Sequence, residues 1–166
     1  DCVRGANVVT DSQNDTDDAD DRWIPDDDWR TIVANVPLVS VDLVIEHDGG
    51  VLLGKRENEP AKDEWFVPGG TVHKNEPRTD AVHRVANEEL GESVVIDDCL
   101  GTYEHFYETA DVDGVDSKHY LATAYRCHFE RDDPEIVGDD QHSDFQVFRP
   151  PFENLHPYVE RYLDDW

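Results

Sequence analysis

Methionine is absent from this 166-residue chain, cysteine occurs three times and lysine four times, while acidic residues number 40. Cys2, Cys99 and Cys127 are odd in number and far apart, a pattern that suggests neither a disulfide framework nor a thiolate metal site and points to a reducing compartment. No apolar run approaches the roughly 18 residues needed to cross a bilayer, and no basic-then-apolar leader is read at the start. A soluble, cytoplasmic protein with no membrane partner is expected. Because the chain opens on Asp1 without a methionine, an incomplete or processed N-terminus is expected as well.

Positive charge is the other scarcity. Fourteen Lys and Arg face the 40 Asp and Glu, for a formal net charge of −26. Such a field repels phosphate backbones, so nucleic acid is a poor partner. The acids are mostly Asp and run the whole length, which reads as adaptation to a high-salt interior. At molar salt the screening length falls to about 3 Å and self-repulsion of this size is quenched.

Residues 1–22 carry little apolar content and a nearly continuous acidic run from Asp15 to Asp21, so they cannot offset their ordering entropy. An acidic disordered tail is expected there, followed by a single domain over 23–166. Pro25 and Asp26 to Asp28 mark a short helix start. Leu38 to Ile45 reads as a buried central strand interrupted by Asp42, whose charge is costly without a partner. Further strands are expected at Val51–Gly54, Trp65–Val67, Ser93–Ile96, Thr102–Tyr107, His119–Phe129 and Phe145–Phe148. A helix should cover about Arg78–Leu90 and stop at Gly91, and a last one about Phe152–Leu163, bent or delayed by Pro157. Strands alternating with helices imply an α/β fold, a mixed sheet between helices.

Residues 66–91, FVPGGTVHKNEPRTDAVHRVANEELG, carry the chemistry. A Gly69-Gly70 bend precedes Glu76, Arg84, Glu88, Glu89 and Gly91. In the helix, Val82, Val85, Ala86 and Leu90 form an apolar stripe, with Arg84, Glu88 and Glu89 together on the flank. Adjacent acids on a helix are usually a solvated face. Next to unencumbered glycine carbonyls, they also form hard oxygen ligands suited to Mg²⁺.

The segment resembles a Nudix box, matching at Gly70, Glu76, Arg84, Glu88, Glu89 and Gly91, except that Val85 stands where that family's pattern expects a Glu. The resemblance implies a Nudix fold. Beyond the box, LVSVDLVIE, LLGKRENEPAKDEWFVPGG, GTYEHFYE, KHY and DDQHSDF are similar to successive segments of the GDP-mannose mannosyl hydrolases, a branch that attacks the sugar C1 carbon with inversion and releases GDP and mannose. This implies a Mg²⁺-dependent enzyme, with Mn²⁺ as a substitute ion, acting on a GDP-sugar as a homodimer. His142 would be the general base, and Gly69, Glu89 and Gln141 the metal ligands. Arg56 would steady the departing GDP, and Asp42, His105 and Tyr107 would contact substrate. Trp23 and Ile24 would cover the base across the dimer interface. Two departures stand out: Thr71 replaces an Arg common in the branch, and Glu88 supplies an acid the branch tends to lack.

Physics is consistent with the missing carboxylate. Attack on phosphorus draws on several cations to activate water and screen phosphate charge. Substitution at an anomeric carbon passes through an oxocarbenium-like state and needs chiefly a stabilised leaving group and a base on the opposite face. An unperturbed imidazole, with a pKa of about 6.5, suits that base. Two rival readings remain: an ordinary Nudix pyrophosphohydrolase attacking phosphorus, and a non-catalytic nucleotide-sugar sensor. Several assignments also have a purely structural alternative, namely a surface ion pair for Arg56, an internal pairing with Arg for Asp42, and an aromatic cross-strand pair for His105 and Tyr107.

Overall fold

The computed structural model describes residues 24–137 and 142–166, the side chains of His142 and Ser143 excepted. Trp23, Gln141 and the acidic segment 1–22 lie outside the described residues, as does the His142 side chain.

The chain order is α1 (Asp26–Asn35), β1 (Leu38–His47), β2 (Gly50–Arg56), β3 (Trp65–Phe66), β4 (Gly69–Thr71), α2 (Arg78–Leu90), β5 (Val94–Tyr107), β6 (Lys118–Phe129), β7 (His142–Phe148) and α3 (Pro157–Tyr162). The strands form one mixed sheet with the path β3-β2-β1-β6-β5, to which β4 adds on β1 and β7 on β2. Among the described residues only β1 and β6 run parallel, in register from Leu38↔Tyr120 to Glu46↔His128, and the other pairings are antiparallel.

The apolar run of β1 is buried on both faces because a helix covers each. Val41, Leu43 and Ile45 pack with Ala81, Val82, Val85, Ala86 and Leu90 of α2. On the other face Val44, Val51, Leu53 and Phe66 meet Val159, Tyr162 and Leu163. The layering is α/β/α, the sandwich expected from alternating strands and helices. Gly91 closes α2 in the left-handed region at φ 68°, where a glycine carries no Cβ penalty.

Two expectations change and a third is narrowed. The strands read separately at 93–96 and 102–107 are one strand, β5, carried past its polar middle by irregularities between Ile96 and Asp98 and between Cys99 and Gly101. The Gly69-Gly70 bend is itself a short strand whose residues 69–71 pair with Asp42, Val41 and Ser40 of β1. The final helix begins not near Phe152 but at Pro157, the later of the two starts that the expected delay by Pro157 left open. Pro157 sits in its first turn, and the His156 side chain accepts the Tyr158 N–H there.

Candidate active site around Gly69 and Asp42

The β1–β4 pairing sets Asp42 directly opposite Gly69. A Cβ at Gly69 would collide with the Asp42 carboxylate and the Val41 carbonyl, so only glycine lets the two strands approach this closely at the acid. Behind this strand pair stands α2. Glu89 is 6% exposed, and its Oε2 accepts the Gly69 N–H at 3.2 Å. Two of the three expected metal ligands, Gly69 and Glu89, are thus neighbours; the third, Gln141, is outside the described residues.

Arg84, Glu88 and Glu89 do not share one flank as expected. Glu89 turns inward, whereas Arg84 binds Glu76 (Nε to Oε1, 2.7 Å; Nη2 to Oε2, 3.0 Å), Glu88 (Nη1 to Oε2, 2.9 Å) and the Thr71 carbonyl (Nη2, 2.9 Å). Glu76 also accepts the His73 N–H at 2.9 Å, so the loop between β4 and α2 is strapped to the helix. The Arg84 bonds hold the Glu76 carboxyl below its ordinary range, and Glu76 in turn raises the guanidinium. Glu88 is an ion-pair partner of Arg84 in this arrangement, and Val85, 1% exposed, packs in the core.

The residues expected to contact substrate also converge. Asp42 is 7% exposed and its Oδ2 accepts a hydrogen bond from the Tyr162 hydroxyl at 2.6 Å. Burial pushes its pKa up to about 6, against the opposing effects of the Tyr162 bond and the Arg56 charge. The same hydroxyl lies 3.0 Å from His105 Nε2. His105 is stacked flat on Tyr158 (centroids 4.1 Å, planes 7° apart), and burial lowers its pKa to about 4, so the ring is neutral. Tyr107 is edge-on to His105 at 6.1 Å, and burial chiefly, then the Asp42 charge, raises its pKa. Arg56 ends β2, donates from Nε to the Pro60 carbonyl at 2.8 Å and stands opposite His142 in the β2–β7 register. Asp42, Arg56, His105 and Tyr107 therefore share one environment, and Ile24, at 39% exposure, precedes α1.

The expected internal partner of Asp42 was an Arg, but the group that bonds it is Tyr162. That residue and Tyr158 were missed as site residues. Their signal is present in Tyr158 and Tyr162 at i, i+4 on an amphipathic helix, within reach of a strand acid that needs a donor.

Among the described residues, no group of three or more His, Cys, Asp and Glu side chains is placed to hold a metal ion. A site of one carboxylate with backbone and amide oxygens does not require such a group. The donors at hand, the buried Glu89 carboxylate and the neighbouring Gly69 carbonyl, are of the hard-oxygen type that suits Mg²⁺.

A mixed sheet between helices, with a glycine strand set against helix carboxylates, is the arrangement of a Nudix hydrolase: residues 36–162 match the NUDIX domain, and the chain belongs to the Nudix family. Its relatives include the Low-salt glycan biosynthesis protein Agl8 of Haloferax volcanii, 65% identical over 156 residues, which are 94% of this chain and 98% of that protein. The ADP-ribose pyrophosphatase of Methanocaldococcus jannaschii is 42% identical over 67 residues, 40% of each chain. Among solved structures, the MutT NUDIX hydrolase from Burkholderia pseudomallei superposes with a TM-score of 0.60 at 30% identity, covering 78% of this chain and 97% of that one. The Haloferax relative agrees with the salt-adapted composition. Among the described residues no helix is long and apolar enough to cross a membrane.

Proposed function

We propose that this Nudix hydrolase acts on GDP-mannose or a related GDP-sugar at the anomeric carbon, giving GDP and the free sugar with inversion, in the cytoplasm of a salt-adapted cell and as a homodimer. The observation that carries the reading is the state of the three positions on α2 where the box pattern places a carboxylate: Val85 is buried carbon, Glu88 is paired with Arg84, and Glu89 alone faces Gly69. A site with one inward helix carboxylate suits leaving-group stabilisation better than multi-cation attack on phosphorus. The glycan biosynthesis for which the Haloferax relative is named supports a sugar-nucleotide substrate.

In this mechanism Glu89, the Gly69 carbonyl and Gln141 would hold Mg²⁺, or Mn²⁺ in its place, which would supply charge neutralisation to the diphosphate. His142 takes a proton from water as the water oxygen bonds to the sugar C1. The C1–O bond breaks and its electron pair leaves with GDP. Arg56, across the β2–β7 register from His142, gives bidentate support to the departing phosphate oxygens. Asp42, His105 and Tyr107 receive the sugar, and Trp23 and Ile24 cover the base from the partner subunit.

Hydrolysis in ¹⁸O-water tests the reading. Label in mannose is expected. Label in GMP or mannose 1-phosphate would overturn it in favour of phosphorus attack, the reading to which the pyrophosphatase name of the Methanocaldococcus relative lends weight.

A further inference from the structure

Asp42, His105 and Tyr162 come from β1, β5 and α3, and one phenolic oxygen joins them. A phenol has a single proton. With Asp42 Oδ2 at 2.6 Å taking it, the 3.0 Å contact to His105 is satisfied only if Nε2 carries the imidazole proton and donates to the Tyr162 oxygen. His105 Nδ1 is then left unprotonated. The plane of the same ring is fixed by Tyr158, one helical turn before Tyr162, which stacks on it at 4.1 Å. Tyr158 is anchored in turn, its hydroxyl donating to the Phe106 carbonyl at 3.0 Å and accepting the Phe106 N–H at 2.9 Å. Helix α3 thus controls both the orientation of His105 and the position of its proton.

We propose that Tyr162 is a positioning residue, whose hydroxyl joins Asp42 and His105 into one hydrogen-bonded unit with a single tautomer and thereby fixes the donor and acceptor atoms offered to the sugar. Its role toward substrate rests on the GDP-sugar reading; its role toward His105 does not. The ring of Tyr162 belongs to the core, edge-on to Tyr103 at 4.9 Å, so phenylalanine would preserve the packing and remove only the bridging oxygen.

The test compares the full chain and Tyr162→Phe in high salt with Mg²⁺, above pH 7. Long-range ¹H–¹⁵N spectra of histidine-labelled protein read the His105 tautomer directly. The parent should show the Nε2–H form alone and Y162F a mixture of both. With GDP-mannose as substrate, kcat should fall about 10–100-fold, with KM within about threefold. An Nδ1–H tautomer in the parent would overturn the proposal without recourse to any variant. So would an unchanged kcat, or an unchanged tautomer in a folded Y162F. If the parent releases no mannose, the GDP-mannose reading fails, and the paired spectra still decide whether Tyr162 sets the His105 proton.

Discussion

Gly70 lies against the side chain of Val85, so close that a methyl group on Gly70 would sit 2.8 Å from Val85 Cγ2. The position where the Nudix pattern places a carboxylate is thus a buried contact between the glycine strand and α2. Gly70→Ala should overpack this contact and cost about 1–3 kcal/mol, because Val85, 1% exposed, has no room to withdraw. Trimming the partner should relieve the clash, so that the double variant Gly70→Ala/Val85→Ala is more stable than the sum of the two single losses predicts. Denaturant midpoints of the four proteins close the cycle, and strict additivity would contradict the contact.

The Arg84–Glu76 strap leads to a pH-dependent expectation. Glu76 has a folded pKa below its ordinary value, chiefly through its bond to Arg84, so its stabilisation is present above the unfolded carboxylate range and is lost as pH falls through the folded pKa. Glu76→Gln should therefore destabilise by about 1–3 kcal/mol at neutral pH. The gap to the parent should close as the pH falls below the ordinary glutamate range. A gap that stays constant down to strong acid would show that the strap does not depend on the carboxylate's charge.

How far the sequence anticipated these contacts depends on whether each one is local. The apolar stripe of α2, the Gly91 stop and the buried run of β1 follow from periodicity within a few residues, and all stand as expected. The strand Gly69–Thr71 has no alternation to read and exists because β1 pairs with it. Asp97 to Gly101 looks like a break in β5, yet the irregular register against β6 carries the strand through it. The separation of Glu89 from Glu88 depends on which of two adjacent carboxylates turns under Gly69, and the Asp42–Tyr162 bond spans 120 residues. Both are tertiary facts with at most a hint in the local sequence.

The general base proposed above should separate binding from chemistry. His142→Gln is expected to lower kcat on GDP-mannose by about 10²–10⁴-fold and leave GDP affinity near the parent value, because in the proposed mechanism the imidazole acts on water and not on the diphosphate. A rising pH limb of kcat in the parent that is missing from the variant would accompany a base role. Steady-state rates across pH, alongside GDP binding by calorimetry, make the comparison. A variant that loses GDP affinity and kcat in equal measure would place His142 in the diphosphate site instead.

Asp42 should lower stability where it is ionised. Its pKa stands near 6 in the folded chain against 3.8 for the unperturbed group, with burial as the leading cause. Between these values the folded state keeps a proton that the unfolded chain has released, so stability falls as pH rises through that window and then levels off. Asp42→Asn removes the titration. Relative to the parent, the variant should gain stability across about pH 4 to 6, hold that gain above it, and show little difference below it. Its hydrolytic rate should fall at the same time, since the carboxylate that burial makes costly is the one facing Gly69 and bonded to Tyr162. Thermal unfolding of both proteins in high salt from pH 3.5 to 8 reads the difference. A variant that is less stable than the parent at pH 8 would show that the Tyr162 bond outweighs the cost of burying the charge.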